Sequence, residues 1–304
     1  MDMFVAPSTD MSSPYGNAVV FRNSGSDSFA RSTIATAAGD SWSHDSWVGD
    51  LNGDGRDDIV MSNIGGDHNL VVNYGNADGS FSTYFGATPG GSGISVADYL
   101  GDGSMTIILT DTATGVLSDT KLFSFTTSGA NNLALTEIST LPASYFYNSQ
   151  FDADRATAGL DPHEIRNFSM DFNSDGVMDV VVVSNLSGNG VNMSAMQFLR
   201  NDGGGTFTDV TDIMLVNYDH DIQASYQPIL IDLNNDGLDD ILLSSADTFS
   251  EDGYHDSTRV LVQTSDGKFV QKYETVFSDF YNQIRNSTSD SLDWGHSRIQ
   301  YCCQ

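Results

Sequence analysis

The sequence predicts an all-β fold, a β-propeller built from four-stranded blades, and three observations support that prediction. A short acidic stretch recurs along the chain, and each copy precedes a run of apolar, often β-branched residues. Each copy is later followed by an apolar strand and a polar turn leading into another strand, which is the pattern of a β-hairpin. Helical periodicity is weak throughout. Four strands in a repeat of roughly 45 to 75 residues is typical of a propeller blade.

The acidic stretch is clearest in DLNGDGRDDIV, which begins at Asp50. Its pattern is Asp-x-Asn-x-Asp-Gly-x-x-Asp, followed by about four apolar residues. Counterparts begin at Asp98, Asp171 and Asp232, at successive spacings of 48, 73 and 61 residues. The hairpin motifs that follow read LVVNYGNADGSF at Leu70, with similar segments further on. Each repeat therefore reads as strand, acidic loop, strand, connection, strand, turn and strand.

Together with the terminal pieces, these repeats amount to about five blades' worth of chain. We expect a single repeat domain over residues 1–304. Its expected parts are a half blade at 1–40, blades at about 41–87, 88–141, 160–212 and 218–277, and a half blade at 290–304. Either the two halves combine into one blade, or the ring is incomplete and the chain is part of a longer protein. The second alternative is our expectation, because no acidic loop lies between the two halves.

The acidic stretch has the composition of a metal-binding loop. Oxygen atoms at positions 1, 3, 5, 7 and 9 can converge on one cation when the backbone curls around it, and a glycine at position 6 permits the turn. The predicted ligands are Asp50, Asn52, Asp54, the Arg56 carbonyl and Asp58 in the first copy, Asp171, Asn173, Asp175, the Val177 carbonyl and Asp179 in the third, and Asp232, Asn234, Asp236, the Leu238 carbonyl and Asp240 in the fourth. A set made only of oxygen favours Ca²⁺ over zinc or copper.

The second copy departs from the pattern and is expected to be weak or empty. Leu100 replaces the asparagine of position 3, and Thr106 replaces the aspartate of position 9. We therefore expect about three Ca²⁺ sites. An EF-hand is excluded for two reasons. That motif needs a glutamate at position 12, where this chain has Met61, Val182 or Leu243, and it needs a helix on each side of the loop, where strands are predicted here. The remaining alternative, that Asp, Asn and Gly only build turns, is disfavoured by three copies of the same pattern.

Charge and composition exclude several classes of partner. The formal net charge is −29, with 41 acidic and 12 basic residues, so nucleic acid is not an expected partner. No apolar run is long enough to predict membrane insertion, and no signal peptide is visible. Cys302 and Cys303 are adjacent, which predicts no disulfide framework.

The three complete loops resemble FG-GAP/VCBS-type repeats, the calcium-loop repeats of integrin α-subunit propellers and many secreted bacterial proteins. The resemblance implies a β-propeller, usually seven-bladed, with Ca²⁺ bound in a loop between strands of a blade. It also implies an extracellular or cell-surface module for adhesion or ligand binding, with a glycan or a protein as partner. The Phe-Gly and Gly-Ala-Pro portions of the repeat are poorly kept here.

The alternative function is a polysaccharide-acting enzyme, or the non-catalytic accessory domain of one. His163 and His220 lie shortly before acidic loops, and the segment Tyr145 to Arg155 is rich in aromatic and polar residues that suit sugar binding. However, the sequence contains none of the common hydrolase or phosphate-binding motifs. No catalytic or organic cofactor-binding residue is predicted.

Overall fold

The computed structural model describes residues 2–5, 18–25, 28–34, 43–63, 70–86, 93–110, 120–129, 131–143, 145–147, 161–188, 191–218, 225–245, 259–272 and 299–300. Almost all regular structure in these residues is β-strand, which confirms the predicted all-β class. The exceptions are a 3-10 helix at Tyr145–Tyr147 and one helical turn, α1, at Thr211–Met214. In the residues described, no helix is long and apolar enough to span a membrane.

The chain divides into two compact units. The first comprises Met1–Ala113, Ser118–Leu141 and Trp294–Gln304, and the second comprises Thr114–Leu117 and Pro142–Asp293. The strands of the first unit are β1 (Met3–Val5), β2 (Val19–Gly25), β3 (Ser28–Thr33), β4 (Ser43–Gly49), β5 (Asp58–Asn63), β6 (Leu70–Gly75), β7 (Phe81–Gly86), β8 (Ile94–Ala97), β9 (Thr106–Leu109), β10 (Lys121–Ser128), β11 (Asn132–Thr140) and β21 (Ile299–Gln300). Those of the second are β12 (Asp161–Met170), β13 (Asp179–Gly188), β14 (Val191–Gly203), β15 (Thr206–Asp209), β16 (Leu215–Val216), β17 (Ser225–Ile231), β18 (Asp240–Ser245), β19 (Arg259–Gln263) and β20 (Phe269–Lys272).

Consecutive strands pair antiparallel, so that each repeat forms one four-stranded meander. The meanders are β4–β7 and β8–β11 in the first unit, and β12–β15 and β17–β20 in the second. A single parallel pair, Phe85 with Asn132, links the outer strands β7 and β11 of the first two. Likewise β16 pairs parallel with β20. Antiparallel pairing of consecutive strands is expected where their connection is too short for the crossover that a parallel pair requires.

A further sheet in the first unit takes strands from both ends of the chain. Its order is β21-β1-β2-β3, and all neighbours are antiparallel. Strand β21 meets β1 through the pairs Phe4 with Gln300 and Val5 with Ile299. The sheet is thereby completed to four strands, the same number as in the other meanders.

The second strand of each repeat is apolar on both faces because both faces are covered. In β5, Ile59 and Met61 pack with Phe4 of β1 in one core cluster. The residue between them, Val60, packs on the opposite face in a cluster that includes Ile107 of β9. Because successive side chains point to opposite faces, a strand covered on both sides reads as a continuous apolar run.

The second unit has the same construction around an aromatic centre. Strands β13 and β18 contribute Val181, Val183, Ile241 and Leu243 to one buried cluster. Phe198 lies in its middle, with ring centroids 5.3 Å from Phe172 and 5.0 Å from Phe269. Burial of this cluster supplies the main favourable free energy of folding, at about 25 cal/mol for each Å² of apolar surface removed from water.

Candidate metal centre

Each acidic stretch forms the loop between the first and second strands of a meander. We number these loops 1 to 4, at Asp50–Asp58, Asp98–Thr106, Asp171–Asp179 and Asp232–Asp240. Position 9 of every loop is the first residue of the next strand, namely of β5, β9, β13 or β18. Position 1 directly follows the preceding strand. The sheet therefore fixes both ends of each nine-residue loop.

The aspartate of position 1 organises the loop backbone. In loop 1, Asp50 Oδ1 accepts hydrogen bonds from the Gly53 and Asp54 N–H groups at 2.8 and 3.0 Å, and Oδ2 accepts one from the Gly55 N–H at 2.8 Å. These donors, with the Gly55 N–H contributing most, hold the pKa of Asp50 below its ordinary value. The equivalent aspartates accept the N–H groups of positions 5 and 6 in all of the other loops.

Two backbone positions in each loop adopt positive φ. Position 6 is glycine throughout, with φ of 81° to 86°. Position 4 is also left-handed, although it is occupied by Gly53, Gly101, Ser174 and Asn235 in turn. The glycine of position 6 was predicted from the turn, whereas position 4 was not, because no single residue type marks it. Glycine adopts this conformation without the steric cost that other residues meet.

The side chains of positions 3 and 5 also accept hydrogen bonds from backbone N–H groups of the loop. Asn52 Oδ1 accepts the Asp54 N–H at 3.0 Å, and Asp54 Oδ1 accepts the Arg56 N–H at 3.0 Å. Loops 3 and 4 repeat both hydrogen bonds through Asn173 and Asp175, and through Asn234 and Asp236. The oxygens predicted as ligands at positions 1, 3 and 5 thus hold the loop backbone.

The aspartate of position 9 lies beneath the loop and is fully buried in loops 1, 3 and 4. Asp58 Oδ2 accepts the Leu51 N–H at 3.0 Å, and Oδ1 accepts the Gly75 N–H at the end of β6 at 2.8 Å. Asp240 does the same with the N–H groups of Leu233 and Gln263, at 3.0 and 2.8 Å. Position 9 therefore ties each of these loops to the third strand of its own meander. Burial raises the pKa of both carboxyl groups.

Asp179 differs from its two counterparts in one oxygen atom. Its Oδ1 accepts the Asn201 N–H at 2.9 Å, but its buried Oδ2 has no hydrogen-bond partner. Burial raises the pKa of Asp179 to about 6, and the nearby carboxylates of Asp175 and Asp171 add to this shift. The Phe172 N–H, which corresponds to the Leu51 and Leu233 donors of loops 1 and 4, also lowers the pKa, although it makes no hydrogen bond of ordinary geometry to Oδ2.

Two variants of position 9 show what the fold requires there. In loop 2, Thr106 Oγ1 accepts the Tyr99 N–H at 3.4 Å and donates to the Ala97 carbonyl at 3.0 Å. In the sheet of β1, Asp2 stands just before the strand, and its Oδ1 accepts the Asn23 N–H of β2 at 2.8 Å. Asp2 is therefore equivalent to position 9.

Comparison with known families agrees with this repeated geometry. The model of the FG-GAP-like repeat matches residues 1–61, 50–109 and 171–243, which together cover more than half of the chain and all four loops. The chain belongs to the FG-GAP-like repeat family. Two of the FG-GAP-like matches begin at position 1 of a loop, at Asp50 and Asp171, and run through the following loop into its strand. No curated protein matches the chain as a whole.

The donor chemistry of the FG-GAP-like loops fits a hard cation. Loops 1, 3 and 4 each present oxygen atoms from three carboxylates, one amide and one backbone carbonyl. Within the described ranges, however, no three His, Cys, Asp or Glu side chains gather closely enough to hold a metal ion. The carboxylates of positions 1 and 5 accept hydrogen bonds from backbone N–H groups of the loop, and the carboxylate of position 9 is buried beneath the loop.

The residues that suggest an enzyme or a sugar-binding site lie only partly within the described ranges. Of the two histidines considered for an enzyme, His163 lies in β12, while His220 falls outside the described residues. Of the aromatic segment, residues 145–147 are described, and there the Phe146 ring is buried against Tyr145 at a centroid distance of 5.6 Å. This packing accounts for Phe146 without a ligand.

Proposed function

We propose that the protein is a calcium-binding β-propeller module that acts outside the cell in adhesion or in binding a glycan or protein ligand. The observation that carries the proposal is the recurrence of one oxygen-lined loop geometry in loops 1, 3 and 4. The burial of Asp58, Asp179 and Asp240 supports it, because a buried carboxylate is costly unless a cation or a proton compensates its charge.

The residues that would hold Ca²⁺ are the side chains of positions 1, 3, 5 and 9 and the carbonyl of position 7. When bound, the ion supplies two positive charges to a loop whose carboxylates otherwise repel one another. The loop residues themselves fix the turn, since the position 1 carboxylate gathers the N–H groups of positions 5 and 6. The strands then hold position 9 beneath the turn.

Calcium should stabilise the fold measurably. At tenfold excess over Kd, each site adds about 1.4 kcal/mol, so three independent sites add about 4 kcal/mol. For a chain of this size that corresponds to a rise in Tm on the order of 10 °C. The measurement is thermal unfolding of metal-stripped protein titrated with CaCl₂ and reversed with chelator, together with calorimetric stoichiometry. An unchanged Tm and no binding heat would refute calcium binding.

Variants in single loops distinguish a loop that binds a metal ion from a loop that only forms a turn. Asp175→Ala in loop 3 and Asp236→Ala in loop 4 should each remove one Ca²⁺ from the stoichiometry. The matched control is Asp102→Ala in loop 2, whose carboxylate also accepts an N–H two residues on, from Ser104 at 2.8 Å. Because loop 2 lacks the oxygen ligands of positions 3 and 9, this control should lower stability without changing the stoichiometry.

The ligand-binding part of the proposal needs its own assay. Calcium-loaded protein should bind immobilised glycans or surface proteins, and binding should weaken when calcium is removed. A reducing-end assay on the bound polysaccharide distinguishes a module from an enzyme. Binding without release of reducing ends supports a binding module. Release of reducing ends that is lost in His163→Ala would show instead that the protein is an enzyme.

A further inference from the structure

We propose that Arg56 acts as a tethered counter-cation of loop 1, which makes this loop the weakest of the three calcium sites. The inference rests on the proposed function, and it concerns the only one of the three loops with a basic residue at position 7. The other two carry Val177 and Leu238 there. Calcium enters loop 1 only after the guanidinium has moved away.

Two contacts fix the Arg56 guanidinium over the loop. Nη2 forms an ion pair with Asp54 Oδ2, the oxygen of position 5 that accepts no backbone N–H. Nε donates to the Gly75 carbonyl at 2.6 Å, at the end of the neighbouring strand β6. A guanidinium held at two points loses less conformational entropy for each hydrogen bond than a single contact would cost. The positive charge therefore stays beside the carboxylate that a cation needs.

The equivalent carboxylates in loops 3 and 4 have no basic partner among the ion pairs of the described residues. Asp175 Oδ2 accepts from the Asn173 side-chain amide at 2.9 Å, and its Oδ1 accepts the Val177 N–H at 2.8 Å. Asp236 Oδ1 accepts the Leu238 N–H at 2.9 Å. Among the ion pairs of the described residues, none involves Asp175 or Asp236. A cation entering these loops displaces no charged group.

The expected size of the effect is moderate because the pair is partly exposed. The side chains of Arg56 and Asp54 are 42% and 28% exposed, so the ion pair itself is weak. Repulsion between the guanidinium and a divalent cation at the same carboxylate adds to it. Together these terms make loop 1 bind Ca²⁺ roughly tenfold more weakly than loops 3 and 4.

The test is calcium titration calorimetry of the metal-stripped full chain and of Arg56→Val, which reproduces the valine of loop 3. In the unaltered protein we expect two stronger sites and one weaker site, and Asp54→Asn should remove the weaker one alone. In Arg56→Val, the weaker site should tighten roughly tenfold. Arg56→Lys keeps the charge but loses the fixed fork, and should give an intermediate affinity.

A matched control is available in the hairpin of β14 and β15. Arg200 pairs with Asp202 at 2.7 Å, again two residues apart, with side chains that are 45% and 32% exposed. Arg200→Val removes the same charge and the same kind of ion pair outside any loop. It should leave all calcium affinities unchanged, which excludes a general effect of net charge.

Three results would overturn the inference. They are an unchanged weak site in folded Arg56→Val, equal tightening in Arg200→Val, or three equal sites in the unaltered protein. Circular dichroism establishes that each variant is folded, and Arg56→Lys provides a second folded comparison. Failure of all loops to bind Ca²⁺ would refute the proposed function itself, whereas binding at loops 3 and 4 with no response to Arg56 refutes this inference alone.

Discussion

Ser174 occupies position 4 of loop 3 in a conformation that glycine adopts more easily. Its φ is 58°, while the same position in loop 1 is Gly53 with φ of 75°. A left-handed conformation costs an ordinary residue roughly 1–2 kcal/mol. Substitution by glycine removes this cost but loses part of the gain, because glycine has a greater conformational entropy in the unfolded state. We expect Ser174→Gly to stabilise the protein by about 0.5–1 kcal/mol, measured by urea unfolding in chelator.

The control for this prediction is Asn235→Gly at position 4 of loop 4, where φ is 60°. Asparagine tolerates the left-handed region better than serine, so the gain should be smaller. A Ser174→Gly variant that is less stable than the unaltered protein would show that the serine side chain contributes more than its backbone strain costs.

At the level of single residues, sequence reasoning found the loop but not all of its connections. The spacing of Asp50, Asn52, Asp54 and Gly55 was sufficient to predict the turn, because every donor and acceptor lies within six residues. The partner of Asp58 could not be predicted, because the Gly75 N–H lies in a later strand and its equivalents follow position 9 at unequal distances. The contacts of the Arg56 side chain could not be predicted, because the loop pattern involves only the carbonyl of position 7 and the Gly75 carbonyl lies in a later strand.

At the level of elements, Gly75 at the end of β6 fixes how closely loop 1 lies against its sheet. A Cβ atom on Gly75 would lie 2.5 Å from the Asp57 carbonyl oxygen, a backbone atom that cannot move aside. We therefore expect Gly75→Ala to destabilise the protein by about 1–3 kcal/mol through overpacking. Unfolding in urea with and without calcium measures the effect.

The matched control is Gly86→Ala at the end of β7. There the nearest atom to an added Cβ would be Leu133 Cδ2 at 2.9 Å, which belongs to a flexible side chain. The loss of stability should be smaller than for Gly75→Ala. Equal losses at the two glycines would contradict a specific role for the contact between loop 1 and β6.

The strands themselves were largely predictable, since each follows a turn or an acidic loop and most carry apolar runs. The hairpin glycines Gly203, Gly204 and Gly205 all adopt positive φ between β14 and β15, as a turn requires. The parallel pair of Phe85 with Asn132 was not predictable, because it joins the edges of two separate meanders. Such contacts depend on how neighbouring sheets pack rather than on a local pattern.

At the level of the whole molecule, the net charge of −29 is a source of repulsion, and the three Ca²⁺ ions of the proposed function would offset only part of it. Raising ionic strength from 0.01 to 0.15 M shortens the screening length from about 30 to about 8 Å. We therefore expect the Tm of calcium-free protein to rise by several degrees over this range of NaCl. The measurement is thermal unfolding in chelator.

Potassium chloride serves as the control for this effect. Screening depends on ionic strength, so KCl should raise the Tm as much as NaCl does. A Tm that is independent of salt, or a response to only one of the two cations, would contradict general repulsion as the cause.

The pairing of β21 with β1 has a consequence for the order of folding. The four meanders are made of consecutive strands, so each can form as soon as its own residues have left the ribosome. The sheet of β1–β3 instead recruits Ile299 and Gln300 across nearly the whole sequence. Closing so long a loop is entropically costly and slow. We therefore expect β1 to pair with β2 early and to keep its other edge open until Ile299 and Gln300 have been synthesised.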